Sequence, residues 1–307
     1  MNREESLIRG LIQNIFFHKD VKLTKTAVHK ILYKLWADLP EGHRVRKCLP
    51  FYWYNYGPFS EVVVSVLEEM RRNGSLYEEE DRNGNELLSF PNTDTMKDSE
   101  IPHDVNALLS KIVHSVNFYR FDMFVDALYR EHAPYEFMPL YKLDFLKNLD
   151  DAVFHIYYDS YNPKQMDRLE NVLFECEASL IDDSLFTDFN QTFSTFTTSM
   201  ERSFNLIRSD ASCSKAVAQA ILKPAEEVWY TFTHGVRILD PAHDEYYNYK
   251  IPQWRMEFKR FYECMMTTID TFANTSLQYH LLTPNPRQPP SSKTKKILSS
   301  IVDGYFS

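Results

Sequence analysis

The stretch FYWYNYGPFSEVV, residues 51–63, decides how the N-terminal part of this chain is interpreted. Gly57 tolerates backbone angles that other residues resist, and Pro58 presets a turn while keeping Gly57 away from helical angles. Ser60 is suited to cap the free amides of a helix, and Glu61 in the first turn favours the positive end of the helix dipole. The stretch therefore predicts an extended segment over 49–56, a corner, and a helix that begins after Ser60.

The segments on either side of this corner predict two earlier helices and a hairpin. Apolar residues recur at helical spacing over 5–17, and Thr24 is placed to cap a second helix, KTAVHKILYKLWADL. The helix that follows Ser60 is expected to stop at Asn73-Gly74. Asn83-Gly84 then separates two short apolar segments, which is a strong hairpin signal. Three helices followed by a hairpin are the order of a winged helix-turn-helix.

The region after the hairpin predicts helices almost throughout. The polar, proline-punctuated stretch 91–102 is a natural boundary, so we expect a winged-helix-like domain over 1–92 and an all-helical bundle of six or seven helices over 101–283. Pro224 is predicted to restart a helix that ends near Leu239, and Pro252 to open the last long helix. Residues 284–307 form a linker-like tail. The fold class is thus mainly α with one β-hairpin.

One helix of the second domain carries an unusually aromatic stripe. Its members recur every three or four residues: Phe186, Phe189, Phe193, Phe196, Met200, Phe204 and Ile207. Such a stripe suits either a coiled-coil-like seam for a partner or the buried face of a bundle helix. We favour the buried face, because single-seam helices this aromatic usually pack inside.

Composition and charge restrict the class of protein. Aromatic residues make up 15% of the 307-residue chain, there are only 7 glycines, and the formal net charge is −9, which argues against non-specific coating of nucleic acid. Residues 1–50 nevertheless carry ten Lys and Arg against five Asp and Glu, so a nucleic-acid surface is expected only there. Four scattered cysteines, no signal-peptide pattern and no membrane-spanning apolar run predict a cytoplasmic protein that does not contact a membrane.

Two short motifs carry a family resemblance. Lys30-Ile31-Leu32-Tyr33 on the second helix and the Tyr56–Glu61 hexapeptide YGPFSE resemble the Panacea domain and related prokaryotic "YGPYS" proteins. The resemblance covers about residues 5–80. It implies a prokaryotic antitoxin or proteolytic-adaptor domain whose partner is a protein, often a toxin, and it leaves the helical region without a counterpart.

The preferred function is therefore a non-enzymatic protein-interaction module of antitoxin or defence-associated type. The protein partner is expected to bind either at the aromatic corner or at the helical bundle. The corner itself is either a purely structural turn or a partly exposed platform for that partner. A homodimer remains open as an alternative. The residues assigned to partner binding are Trp53, Tyr54, Tyr56, Phe59 and Glu61, and the residues assigned to the structural motif are Tyr33, Gly57, Pro58 and Ser60.

The first alternative is a DNA-binding transcriptional regulator. Its candidate contacts are basic residues of the second helix and the following loop: Lys22, Lys25, Lys30, Arg44, Arg46 and Lys47. An ordinary winged-helix mode is disfavoured, because the helix after Ser60 begins with Glu61 and no base-reading side chain, and the hairpin carries Glu78, Glu79 and Glu80. A solvated charged face explains the same lysines and arginines.

Enzymatic interpretations are weaker. Arg237 and His243 fit the loose spacing of HEPN-type ribonucleases, but Asp240-Pro241 would break the helix that such a pair needs. The His103-Asp104 and His243-Asp244 pairs lack further metal ligands, and Asp151 with His155 is more typical of a surface pair. Walker, GxGxxG, GxSxG and HExxH motifs do not occur in the sequence. We expect no catalytic residue, no cofactor and no metal.

Overall fold

A computed structural model describes residues 3–18, 22–81, 84, 86–90, 101–158, 162–209, 214–239 and 245–282. Within them the protein is mainly helical with a small amount of antiparallel sheet, as the sequence predicts. The chain forms two compact units. The first contains Met1–Pro139 and Thr233–Glu257, and the second contains Leu140–Phe232 and Phe258–Ser307.

The first unit begins with helices and short strands in alternation. They are α1 (Arg3–His18), β1 (Leu23–Thr24), α2 (Lys25–Asp38), α3 (Arg44–Cys48), β2 (Tyr52–Tyr54), β3 (Gly57–Phe59), α4 (Glu61–Arg72), β4 (Tyr77–Glu80) and β5 (Glu86–Ser89). Then come α5 (His103–Ser115), a 3₁₀ turn (Phe118–Arg120), α6 (Phe121–His132) and the single turn α7 (Phe137–Pro139). The later segment, 233–257, comprises the end of one long helix, a 3₁₀ turn (Glu245–Lys250) and the start of another helix.

The predicted helix caps of this unit are confirmed. Thr24 Oγ1 accepts from the backbone amide of Ala27 at 3.1 Å, and Ser60 Oγ accepts from Val63 N at 3.5 Å. Gly74, with a φ of +74°, turns the chain after α4, so that the amide of Leu76 reaches Met70 O at 3.1 Å. Helix α2 therefore begins, and α4 begins and ends, where the sequence predicts, because these signals are local. The segment 44–47, predicted as a loop, is instead part of the short helix α3.

The predicted hairpin is also confirmed, and a third strand joins it. β4 and β5 pair antiparallel with Tyr77 opposite Ser89, and β1 pairs with the other edge of β5, with Leu23 opposite Leu88. The strand order is β1-β5-β4. The sequence did not predict β1, since two residues are too few to show an alternating pattern.

The second unit is built from long helices. They are a π-helical segment (Leu140–Leu146), α8 (Lys147–Tyr157), α9 (Pro163–Ala178), α10 (Thr187–Ser209), α11 (Ser214–Leu239) and α12 (Ile251–Leu282), the last two with parts in the first unit. Every residue of the aromatic stripe on and before α10 is buried. Phe186 contacts Phe232 and Phe258 at ring-centroid distances of 5.2 and 5.7 Å. The stripe is therefore a core face, as favoured, and not an exposed seam.

The prediction that Pro224 starts a helix is wrong. Pro224 lies inside α11, which begins ten residues earlier at Ser214. An internal proline costs roughly 3 kcal/mol through its missing amide and its ring. Ile221, Ala225 and Val228 on either side of it are fully buried, so packing of this face offsets the cost.

The packing of the units also differs from the simple order of the chain. Helix α5, which the sequence assigns to the bundle over 101–283, contacts α1 and α2, and residues 233–257 contact β2 and the start of α4. Apolar periodicity predicts which face of a helix is buried, but it does not say against which helix. The boundary stretch 91–100 and the tail 284–307 lie outside the described residues, so the predicted domains 1–92 and 101–283 stay a prediction. Among the residues that the structure does describe, none of the helices is long and apolar enough to cross a membrane.

A buried stripe predicts a large loss of stability on truncation. Phe196→Ala should lower the free energy of unfolding by about 3–5 kcal/mol, because Phe196 is fully buried and leaves a cavity. Urea denaturation followed by circular dichroism measures this loss. The matched control is Thr195→Ala on the exposed side of the same helix, expected to change stability by less than about 0.5 kcal/mol. Equal effects of the two variants would contradict a buried stripe.

Candidate functional site

The FYWYNYGPFSEVV stretch forms a tight hairpin rather than one continuous extended segment. Tyr52 pairs with Phe59 and Tyr54 with Gly57, so that Asn55 and Tyr56 form the tip. Gly57 has a φ of +86°, a conformation that residues with a Cβ rarely adopt. The predicted corner is therefore real, but it reverses the chain at 55–56, and α4 begins only after the second strand ends.

Helix α2 packs against one face of this β2–β3 hairpin and is hydrogen-bonded to it. Lys30 Nζ donates to the carbonyl oxygen of Pro58 at 3.0 Å, and Trp53 Nε1 donates to the Tyr33 hydroxyl at 3.1 Å. Lys30 and Tyr33 are the first and last residues of the Lys-Ile-Leu-Tyr motif. The two sequence motifs are thus the two sides of one contact, with α2 supplying donors and acceptors for the hairpin.

The contact between α2 and the hairpin is close enough to require glycine at position 57. A Cβ built on Gly57 would lie 3.2 Å from both Lys30 Nζ and the Cε2 atom of Tyr129 on α6. These distances are tighter than ordinary contacts, and the positive φ adds backbone strain for any other residue. Of the residues assigned to the structural motif, Tyr33 and Pro58 accept the two hydrogen bonds of this contact, Gly57 is its closest approach, and Ser60 caps α4.

The opposite face of the hairpin is covered by the segment 233–257 of the same unit. The Tyr54 hydroxyl lies 2.9 Å from His234 Nε2, and the Tyr52 ring packs on Tyr247 and Trp254, each at 4.9 Å between centroids. Arg237 lies over the Tyr54 ring at 4.7 Å. Sequence reasoning missed these contacts, because the partners are about 180 residues apart and no local pattern joins them.

The residues that the sequence assigned to a partner platform differ in how far their side chains are buried. Trp53 is only 1% exposed, so its expected place on an exposed platform is corrected: its indole packs on Tyr129 at 5.1 Å inside the core. Tyr54, Phe59 and Glu61 are half-buried, and Glu61 forms an ion pair with Lys250. Tyr56 at the hairpin tip is 68% exposed. Tyr56 is thus the one member of this set that is largely available to a partner.

An apolar groove of about 270 Å³ lies beside Tyr56, between the hairpin, α2 and α4. The hairpin contributes Tyr54, Tyr56, Gly57, Pro58 and Phe59, helix α2 contributes Lys25, Thr26, His29 and Lys30, and helix α4 contributes Val64, Leu67 and Glu68. We call this site the corner groove. Most of its wall is carbon, and apart from the phenols of Tyr54 and Tyr56 its ionisable groups come from α2 and from Glu68.

Two of the α2 side chains in the corner groove are buried ionisable groups. Burial lowers the pKa of Lys30 to about 7, since Pro58 O is a neutral acceptor and no described carboxylate lies within ion-pair distance. His29 stacks on Phe59 at 5.1 Å, and burial lowers its pKa as well. The His29 ring nitrogens lie 2.8 Å from Lys25 O and 3.2 Å from Ser60 O. A neutral imidazole can donate to only one of those two carbonyls.

The basic residues proposed for DNA contacts are largely engaged within the protein. Lys22 pairs with Glu79 on β4, and Lys25 lies 2.8 Å from both Glu78 on β4 and Glu86 on β5. Arg46 donates to Leu39 O at 3.1 Å and lies over the Trp36 ring at 4.2 Å. With Lys30 buried, only Arg44 and Lys47 of the six are exposed and form no ion pair with another described residue. The acidic strand β4 thus neutralises the lysines that a phosphate backbone would need.

The structure describes only some of the residues weighed for catalysis. Arg237 is buried and forms an ion pair with Glu257, while His243, Asp240 and Pro241 lie outside the described residues. Asp104 lies 4.0 Å from His43 across an exposed surface. In the part of the chain that the structure describes, His, Cys, Asp and Glu form no group of three that could hold a metal.

No protein-family model matches the chain, and no match is found among curated proteins or among solved structures.

The close contact at Gly57 predicts a loss of stability when a Cβ is added. Gly57→Ala should cost the roughly 1–2 kcal/mol of a left-handed backbone and more from the Lys30 and Tyr129 contacts. Gly42→Ala is the matched control, since Gly42 has a φ of +80° with nothing within 4 Å of its Cβ. Thermal unfolding of both variants separates strain from contact. Equal losses would show that the hairpin does not approach α2 this closely.

The buried amine predicts a pH-dependent stability. The pKa of Lys30 is about 7 in the folded chain, against an ordinary value of 10.5, so the folded state binds fewer protons between these values. The free energy of unfolding should therefore rise with pH through this window. Lys30→Met should remove this rise, by up to about 1.4 kcal/mol per pH unit, in urea titrations from pH 6 to 9. Lys25→Met, at an exposed ion pair that raises the Lys25 pKa, is the control. Parallel curves for wild type and Lys30→Met would contradict a buried, unpaired amine.

Proposed function

We propose that this chain is a non-enzymatic protein-interaction module of antitoxin or defence-associated type, which acts in the cytoplasm of a prokaryotic cell. The partner is a protein, and it binds at the corner groove with Tyr56 at its rim. The observation that carries the proposal is the exposure of Tyr56 beside an apolar groove, while the other aromatic residues of the corner are half-buried or buried. Exposed tyrosines next to apolar pockets are typical hot spots of protein interfaces.

The rigidity of the surroundings supports this proposal. The hairpin is fixed on one side by Lys30 and Tyr33 and on the other by His234. A partner that binds here would therefore find Tyr56 already positioned and would order few additional groups. A turn with a purely structural role would not need an exposed Tyr56, because Gly57, Pro58 and Ser60 suffice to form the turn.

We further propose that residues 1–92 form a Panacea-type, winged-helix-like domain. The order of helices, the three-stranded sheet β1-β5-β4 and the pairing of the Lys-Ile-Leu-Tyr helix with the Tyr-Gly-Pro hairpin support the proposal. The long helices of the second unit would then form the helical bundle that the sequence predicts. Lys22 and Lys25 form ion pairs with Glu79 and Glu78 on β4, and this engagement favours a protein partner over DNA.

The experiment uses the product of the adjacent reading frame in the source genome as the partner. Expressed alone in a bacterial host it should arrest growth, and co-expression of this chain should restore growth through a stable complex. Tyr56→Ala should abolish rescue and complex formation in size-exclusion chromatography, at a cost of at least about 2 kcal/mol in binding. The tyrosine is exposed, so the thermal stability of the variant should stay unchanged.

The matched control is Tyr249→Ala, which removes another exposed tyrosine that does not line the corner groove. This variant should rescue growth as wild type does. An adjacent product that neither arrests growth nor binds this chain would overturn the antitoxin proposal. Rescue by Tyr56→Ala at wild-type strength would overturn the corner groove as the binding site.

A further inference from the structure

Lys30 is an unusual element of the corner groove. The residue is 3% exposed, and among the described residues the three donors of its ammonium have one hydrogen-bond acceptor, Pro58 O. Nζ lies beside Gly57, which itself lines the groove. A buried cation without a carboxylate is costly, and proteins usually pair such a group. Lys30 therefore has unused capacity for an anionic acceptor in the groove wall.

The other ionisable groups of the groove do not supply that acceptor. Lys25 is engaged with Glu78 and Glu86, and Glu68 pairs with Arg71 at 2.9 Å. His29 adds two further donor-or-acceptor nitrogens, but both lie against backbone carbonyls. The groove wall thus presents one amine that is not paired with any acidic side chain among the described residues.

The size of the corner groove limits what can occupy it. A volume of about 270 Å³ is below the roughly 300–1,000 Å³ of pockets for drug-sized ligands and cofactors. It suits one large apolar side chain with its neighbouring atoms. The apolar lining from Phe59, Val64 and Leu67 is complementary to such a side chain.

We propose that the corner groove recognises a protein segment in which an aromatic or aliphatic side chain stands next to an Asp or Glu, whose carboxylate pairs with Lys30. The apolar side chain fills the groove between the hairpin and α4. The carboxylate supplies the acceptor that the Lys30 ammonium lacks, as a charge-assisted hydrogen bond in a dry site. This inference rests on the proposed function and names the chemistry of its partner.

The test uses two matched probes, N-acetyl-Phe-Asp-amide and N-acetyl-Phe-Asn-amide, which differ by the carboxylate alone. Both are titrated into the full chain at pH 8, and the Lys30 side-chain resonance is followed by NMR. The Asp probe should bind roughly tenfold more tightly than the Asn probe. It should also protonate Lys30, because the amine that is mostly neutral in the empty groove gains a counter-ion.

Lys30→Met and Lys25→Met are the variants to compare. Lys30→Met should abolish the preference for Asp over Asn, whereas Lys25→Met, at the exposed ion pair on the rim, should keep it. The protonation of Lys30 is measured in the wild-type chain, so it tests the inference even if Lys30→Met does not fold. Equal binding of the two probes, binding of neither, or a Lys30 resonance that does not move would overturn the inference.

The outcome also distinguishes this inference from the proposed function. A partner that needs Tyr56 but binds Lys30→Met at full strength would leave the interaction module intact and reject the acidic segment. A chain that dimerises in light scattering, and becomes monomeric on Tyr56→Ala, would show that a second copy occupies the groove. Both results are read from the same purified variants.

Discussion

The hydrogen bond from Lys30 to the carbonyl oxygen of Pro58 is the contact on which the first unit depends. It joins the middle of α2 to the second strand of the aromatic hairpin, at a point where a Cβ on residue 57 would lie only 3.2 Å from Lys30 Nζ. Trp53 and Tyr33 add a second link one helical turn further along. Because the hairpin is held here, Ser60 is in position to cap α4, and the three elements enclose the corner groove.

The same contact connects stability with recognition. A lysine that only tied the hairpin down would be costly, since burial without a carboxylate destabilises the charged form. The cost is reduced when the amine is neutral, and it would be offset when a ligand brings an acid. Lys30 is therefore suited to discriminate between partners by their charge, while the apolar wall of the corner groove discriminates between them by their shape.

Local signals correctly predicted the starts of α2 and α4, the end of α4 and the β4–β5 hairpin. Thr24, Ser60 and Asn73-Gly74 each act within one turn of the chain, so their effects could be derived from the sequence alone. The packing of Tyr54 on His234 and Arg237 could not, since it joins residues about 180 positions apart. For the same reason the sequence placed Trp53 on an exposed platform and Pro224 at a helix start: composition does not reveal which neighbours cover a ring or stabilise a proline.

The central claim is that the Lys30 side chain lies against Gly57 beneath the hairpin. Nuclear Overhauser effects on the full chain test it directly, since protons on Lys30 Cε and on Gly57 Cα should then give a strong cross-peak. The Tyr129 ring, which borders the same spot, should show cross-peaks to both residues. A Lys30 side chain with contacts only to water, and without any cross-peak to the hairpin, would contradict the account.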